Sequence, residues 1–187
     1  MNKRLLLLFS LFLSLKAFGQ QPPGACPGGV PTLTSFCAEA CVLCESIHGQ
    51  TFSNSLTDLG EAPPDHCAPQ LHNTPWLVLI ANSTGLSLAI SVVNCNQGDG
   101  LQIGLWQTLD CTSFTQVSNC LPSIPENTVG NINTNVPLEI GGIYFLVVDG
   151  AVGDICDFNI AVTSGSTGAP DITGQSAAII GPPQVCP

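Results

Sequence analysis

Beyond Lys16 this chain contains neither lysine nor arginine, and that gap limits its fold more than any motif does. All three basic residues, Lys3, Arg4 and Lys16, precede the first of thirteen carboxylates, Glu39. Such a chain has almost no ion pairs to draw on, so apolar burial and covalent cross-links must hold it together. The cations belong to a segment of their own. Residues 5–15 are a short apolar run behind a basic start, and Ala17-Phe18-Gly19 is a small-x-small cleavage pattern, so residues 1–19 read as a secretory signal peptide. Once they are removed, the net charge of −10 falls to about −13, and three histidines are the remaining side chains able to become positive.

That balance excludes whole classes of partner. Without Lys or Arg nothing neutralises phosphates, which argues against nucleic acid and against anionic membrane surfaces. No segment after the signal reaches the length of a spanning helix, so the mature chain is expected to be soluble or tethered through a partner. Cys26 is set too far from the apolar run for a lipoprotein signal. Crowded carboxylates repel one another, which salt or a bound cation relieves. In an exported chain ten cysteines read as disulfides rather than metal ligands. Cys111 and Cys120 bracket a short polar segment and are the first expected pair, while Cys37, Cys41 and Cys44 crowd a segment where a local bridge is expected. The pairing of Cys67, Cys95 and Cys156 is left open.

Four regions follow from the pattern: the signal at 1–19, a Pro/Gly- and Cys-rich lead-in at 20–70, a regular domain at 71–164, and a tail at 165–187. The lead-in reads as loops with at most one helical turn near Cys37 to Cys44. Trp76-Leu77-Val78-Leu79-Ile80-Ala81 is a continuous apolar run, expected to be a strand buried on both faces. Leu86, Leu88, Ile90 and Val92 alternate with small polar residues, as do Leu101, Ile103 and Leu105. Residues 122–127 read as a loop, and Val129, Ile132 and Val136 mark weaker strands. Ile143-Tyr144-Phe145-Leu146-Val147-Val148-Asp149 is the strongest strand, and Phe158, Ile160 and Val162 alternate inward after it. Short strands with Gly, Pro and Asn punctuation and no helix period predict an all-β, antiparallel β-sandwich of jelly-roll type. The tail begins linker-like, and residues 181–187 read as the start of a further module, to which Cys186 would then belong.

Candidate chemistry is sparse. Cys41, Cys44 and Cys67 with His48, His66 and His72 could be drawn as a zinc site, but disulfides and surface histidines are the simpler reading in this compartment. A redox Cys-x-x-Cys needs a βαβ setting that is absent. There is no Gly-x-Ser-x-Gly and no His-Glu-x-x-His, so no enzyme is expected. Asp149, Asp154 and Asp157 gather around the last hairpin, with Asp99 in a Gly-rich loop, and are candidate calcium ligands; the competing reading is turn chemistry. Trp106 faces away from the Leu101/Ile103/Leu105 row and is the candidate exposed platform for a ligand such as a sugar ring.

Three stretches resemble a module found near the N-terminus of large secreted and surface proteins of Bacteroidota. They are His72-Asn73-Thr74-Pro75-Trp76 with the run after it, Asn94-Cys95-Asn96-Gln97-Gly98-Asp99-Gly100 through Trp106, and Tyr144-Phe145-Leu146-Val147-Val148-Asp149-Gly150. Cys41-Val42-Leu43-Cys44 and His66-Cys67-Ala68 are similar to that module's cysteine-rich lead-in. The last hairpin, through Cys156-Asp157-Phe158, is also similar to prepeptidase C-terminal-type domains. The resemblance implies a β-sandwich in proteins associated with adhesion or gliding, followed there by further repeats and a sorting domain. The expected function is a secreted, non-catalytic binding or adhesion module with an extracellular glycan or protein as partner. Its alternative is an ancillary carbohydrate- or protein-binding domain of a secreted hydrolase, and a third reading is a spacer.

Overall fold

The computed structural model describes residues 24–56, 58–67, 70–169 and 186. The signal peptide at 1–19 and most of the expected linker and next-module start lie outside the described residues. The described chain is all-β: ten strands in two sheets, with three short 3-10 turns and no α-helix. In chain order the strands are β1 (Val42–Leu43), β2 (Gln50–Ser53), β3 (Trp76–Ile80), β4 (Ser87–Val93), β5 (Leu101–Gln107), β6 (Thr115–Gln116), β7 (Leu121–Ile124), β8 (Val129–Asn133), β9 (Ile143–Gly150) and β10 (Asp157–Ser164). One sheet runs β1-β3-β9-β5-β6 with β7 also paired to β5, and the other runs β2-β10-β4-β8. Every strand pair is antiparallel except β1 with β3.

With β1 and β6 set aside, eight strands remain, and their order is that of a jelly roll. The first, eighth, third and sixth form one sheet; the second, seventh, fourth and fifth form the other. The alternation explains how the sheets meet. Leu88, Ile90 and Val92 of β4, Leu101, Ile103 and Leu105 of β5, and Phe158 and Ile160 of β10 all enter one buried cluster between the sheets. Leu77 and Leu79 of β3 and Tyr144, Leu146 and Val148 of β9 complete it.

The six-stranded sheet buries its other face as well. Trp76, Val78 and Ile80 of β3, Phe145 and Val147 of β9, and Trp106 of β5 form a second cluster with Cys37, Ala40, Val42 and Cys186. Trp76 meets Phe145 edge-on, with ring centroids 5.9 Å apart, and donates from Nε1 to the Glu61 carbonyl at 3.0 Å. The covering material is the lead-in. This is why β3 and the Phe145–Val148 stretch of β9 are apolar without a break: each side chain there faces one of two buried layers.

Trp106 is therefore corrected from exposed platform to core. It does face away from Leu105, but only 1% of it is exposed, because the lead-in lies over it and the His66 ring stacks on it at 5.2 Å. Burial pushes the His66 ring below the ordinary imidazole range, against the raising influence of Asp149, so it stays neutral in that apolar setting.

The lead-in also differs from the expected run of loops. It supplies β1 beside β3 and β2 at the edge of the four-stranded sheet, as well as two 3-10 turns, the expected one at Cys37–Glu39 and another at Pro27–Gly29. Five disulfides use all ten cysteines: Cys26–Cys41, Cys37–Cys111, Cys44–Cys186, Cys67–Cys120 and Cys95–Cys156. The expected Cys111–Cys120 pair is corrected. The segment between these residues forms β6 against β5, and each cysteine instead anchors the lead-in at its own point. A short-range bridge does form at the lead-in, from Cys41 back to Cys26. Cys186 is bonded to Cys44 of the lead-in. In chain-entropy terms, each of the long cross-links between lead-in and sandwich stabilises the fold by about 4 kcal/mol. Five cystines fit an oxidising, extracellular compartment.

Burial of Trp106 has a measurable consequence. Trp106→Ala is expected to cost about 3–5 kcal/mol in urea unfolding followed by far-UV circular dichroism. A loss under about 0.5 kcal/mol is what a surface residue gives, and would return Trp106 to the surface.

Candidate functional site

At one end of the sandwich β2, β4, β7 and β9 finish and β3, β5, β8 and β10 begin, so four connections meet there. These are residues 54–75, 94–100, 125–128 and 151–156. They are largely polar, and two buried carboxylates organise them.

Asp149, at the end of β9, is fully buried. Its Oδ1 accepts the backbone N–H groups of His72 at 3.0 Å and Asn73 at 3.2 Å, and the Thr74 hydroxyl at 2.7 Å. Its Oδ2 lies 3.4 Å from His72 Nδ1, whose side chain is 25% exposed. Asp149 thus fixes the path of the chain into β3. Asp154, also fully buried, does the same for the chain into β5. Its Oδ1 accepts the N–H groups of Gln97 at 2.8 Å and Ile155 at 2.9 Å, and its Oδ2 that of Gly100 at 2.9 Å. Burial acts to raise the Asp154 carboxyl, but the N–H groups of Gly100, Gln97, Ile155 and Asp99 outweigh it and hold it below the usual carboxylate range.

Two buried asparagines join these hubs. Asn73 donates from Nδ2 to the carbonyls of Asn54 and Asp154, each at 3.0 Å, and accepts the Gly150 N–H at 3.1 Å. Asn54 donates to the Asp154 carbonyl at 2.9 Å and accepts the Cys156 N–H at 2.7 Å. Gly150 has no room for a side chain here, because a Cβ would overlap the Asp154 carbonyl and Asn73 Oδ1. Cys95–Cys156 and a bond from the Cys95 N–H to Glu126 Oε1 at 3.1 Å tie in the remaining loops.

The four aspartates expected around calcium therefore sit apart in role. Asp149 and Asp154 are inside and occupied by N–H and O–H donors. Asp99 is exposed, and half-buried Asp157 accepts from Asn94 Nδ2 at 3.0 Å. Among the described residues, the one group of three potential ligand atoms within 4.8 Å of one another is Cys95, Asp154 and Cys156, and two of these are the sulfurs of one cystine. For the lead-in cysteines the disulfide reading holds over the zinc alternative. Cys41, Cys44 and Cys67 have no thiolate to offer because each is in a disulfide. The histidines are dispersed as well: His48 Nδ1 accepts the Val162 N–H at 3.0 Å, His66 stacks on Trp106, and His72 sits on Asp149.

Among mostly polar exposed residues, this end presents two large apolar side chains. Leu59 is 67% exposed and Val152 71% exposed. Thr74 Oγ1 lies 3.3 Å from the Leu59 carbonyl, and a Cβ placed on Gly153, the residue after Val152, would meet His72 Cδ2 at 3.4 Å, so both turns border the Asp149–His72 pair. Val152 also has a φ of 55°, in the left-handed region, where a β-branched side chain costs about 1–2 kcal/mol. Periodicity could not have found this site, since the signal is a valine between Ala151 and Gly153 in a turn.

At the opposite end, Gln107, Thr108, Leu109, Asp110, Ser113 and Thr115 line a shallow depression of about 290 Å³. The N–H groups of Ser113 and Thr112 hold the Asp110 carboxyl down to about 2. This is an aspartate turn closing on itself, with Cys111 fastened to Cys37 beside it.

The fold and its cross-links define a class, a disulfide-stapled jelly-roll domain of extracellular type. No family model matches the chain, and no curated protein does. Among solved structures it is similar to the pre-peptidase C-terminal domain of a collagenase from Bacillus anthracis, at 19% identity over 62% of this chain and 90% of that one, with a TM-score of 0.33. It is also similar to the Yersinia pseudotuberculosis-derived mitogen, at 9% identity over 79% of this chain and 93% of that one, with a TM-score of 0.35. Neither likeness tells what this chain binds.

Two groups give the fold an acid dependence of known sign. The stability that Asp154 contributes is complete above the unfolded carboxyl range and is lost as pH falls through its lowered folded value. His66 is also lowered, so below about pH 6.5 the unfolded chain takes up its proton first and stability falls there too. Asp154→Asn turns an acceptor into a donor facing N–H groups and is expected to cost about 3 kcal/mol at pH 7. It should also flatten the loss between pH 5 and 2 in urea midpoints. An unchanged acid limb would remove Asp154 from its role.

Proposed function

We propose that this chain is a secreted, non-catalytic binding module that meets an extracellular protein through the loop end of its sandwich. Export rests on the signal-like pattern of residues 1–19 and on the compartment that five cystines require. The observation that carries the reading is Val152. A β-branched residue is held in a strained conformation, with its side chain in solvent, on a turn whose base is locked by Asp149 and Asp154. Strain kept by a rigid surround at an exposed position is characteristic of contact sites. Leu59 and the half-buried His72 extend the same surface, and apolar anchors on a rigid frame suit a protein partner. With Trp106 buried, the stacking platform that would have favoured a sugar is lost.

Stability and binding should therefore move in opposite directions. Val152→Gly relieves the left-handed strain and is expected to raise stability by about 1 kcal/mol. Val152→Ser and Leu59→Ser should leave stability within about 0.5 kcal/mol. All three should weaken, at least tenfold, the capture of whichever protein the mature chain retains from a panel of purified extracellular proteins, read by biolayer interferometry. Glycan-array binding insensitive to these substitutions, or hydrolysis of a substrate by the isolated chain, would sink the reading.

A further inference from the structure

The disulfides define a route through the molecule that the backbone does not. Cys26 is bonded to Cys41, two residues, Val42 and Leu43, separate Cys41 from Cys44, and Cys44 is bonded to Cys186. A pull that enters before Cys26 and leaves after Cys186 meets a continuous covalent line through two cystines. The loop closed by Cys44–Cys186 spans a sequence separation of 142 and contains β2 to β10.

We propose that these two cystines form a covalent tension bypass, so that the module transmits force between its flanks without unfolding its jelly roll. The sandwich is fastened to this route through β1 and through Cys37, which lies within the Cys26–Cys41 loop and is bonded to Cys111. Between the two cystines lies β1, whose Val42 and Leu43 pair in parallel with Val78 and Leu79 of β3. The other end of the sandwich, with Asp149, Asp154 and Val152, is reached only through the folded body. Stabilisation alone does not require this arrangement, since interior pairs such as Cys95–Cys156 and Cys67–Cys120 also restrict the unfolded chain. What sets Cys41 and Cys44 apart is their partners: Cys26 precedes every described strand and Cys186 follows every one. The closeness of the two leaves nothing between them to extend. The proposal goes beyond the binding-module reading and does not rest on it.

Single-molecule force spectroscopy on the mature chain, with handles attached upstream of Cys26 and downstream of Cys186, tests it without any ligand. A failed bypass and a failed binding surface are thus scored separately. The oxidised wild type is expected to show no lengthening step beyond a few nanometres before the handles detach. Reductant added to the same tethered molecules should release the long loop, a gain on the order of 50 nm at about 3.5 Å per residue. The Cys44→Ser, Cys186→Ser double variant should unfold in the oxidised state. Its shortest covalent route then runs through Cys37–Cys111 and Cys95–Cys156, for a gain on the order of 15 nm. A step of tens of nanometres in the oxidised wild type overturns the proposal, and so does the lack of a gain on reduction. The reductant measurement does not depend on the variant folding.

Discussion

Burial of the outer face of the six-stranded sheet beneath the lead-in is the contact on which the rest depends. Trp76, Val78, Ile80, Phe145, Val147 and Trp106 cannot face water together, so β3 and β9 persist as central strands only if something covers them. In many proteins that cover would be a helix held partly by ion pairs. Here no described residue is a lysine or arginine, and the cover is a loop-rich segment with few apolar residues of its own. Cystines do the holding: Cys37 and Cys67 are fastened to the sandwich at Cys111 and Cys120, and Cys44 to Cys186.

The same lack of cations explains how negative charge is kept inside. Asp149 and Asp154 have no lysine or arginine to face, so each is solvated by the peptide N–H groups of an adjoining loop. A carboxylate treated this way is an ordering device. It gathers donors that a loop would otherwise leave to water, and two asparagines spread that order from one carboxylate to the other. The result is a set of loops cross-braced by buried hydrogen bonds and a cystine. That bracing surrounds the turn on which Val152 is held at its left-handed φ.

Much of the frame was legible because it rests on period. Strict alternation at Leu88, Ile90 and Val92 and at Phe158 and Ile160 placed those side chains in the core correctly, and the unbroken run at Trp76 announced a strand covered on both faces. What escaped was set by tertiary contact. Gln50–Ser53 and Leu121–Ile124 carry too few apolar residues to show as strands, and become so through β10 and β5. The side of the sheet that Trp106 occupies was right, yet which side is wet depends on a segment forty residues upstream in sequence. Disulfide pairing failed for the same reason: nearness along the chain favoured Cys111 with Cys120, whereas the fold brings each to the lead-in. The aspartates were rightly gathered at one end, but their partners are peptide groups, which leave no mark in a sequence.

One consequence concerns how the molecule reports on itself to light. The chain has two tryptophans, Trp76 and Trp106, and both lie in the layer between sheet and lead-in, with none in the cluster between the two sheets. Trp106 carries the His66 ring against its face, and Trp76 touches Phe145 and Phe114. Intrinsic emission from this protein is therefore a local gauge of whether the lead-in is seated, and is nearly blind to the packing of the sandwich proper.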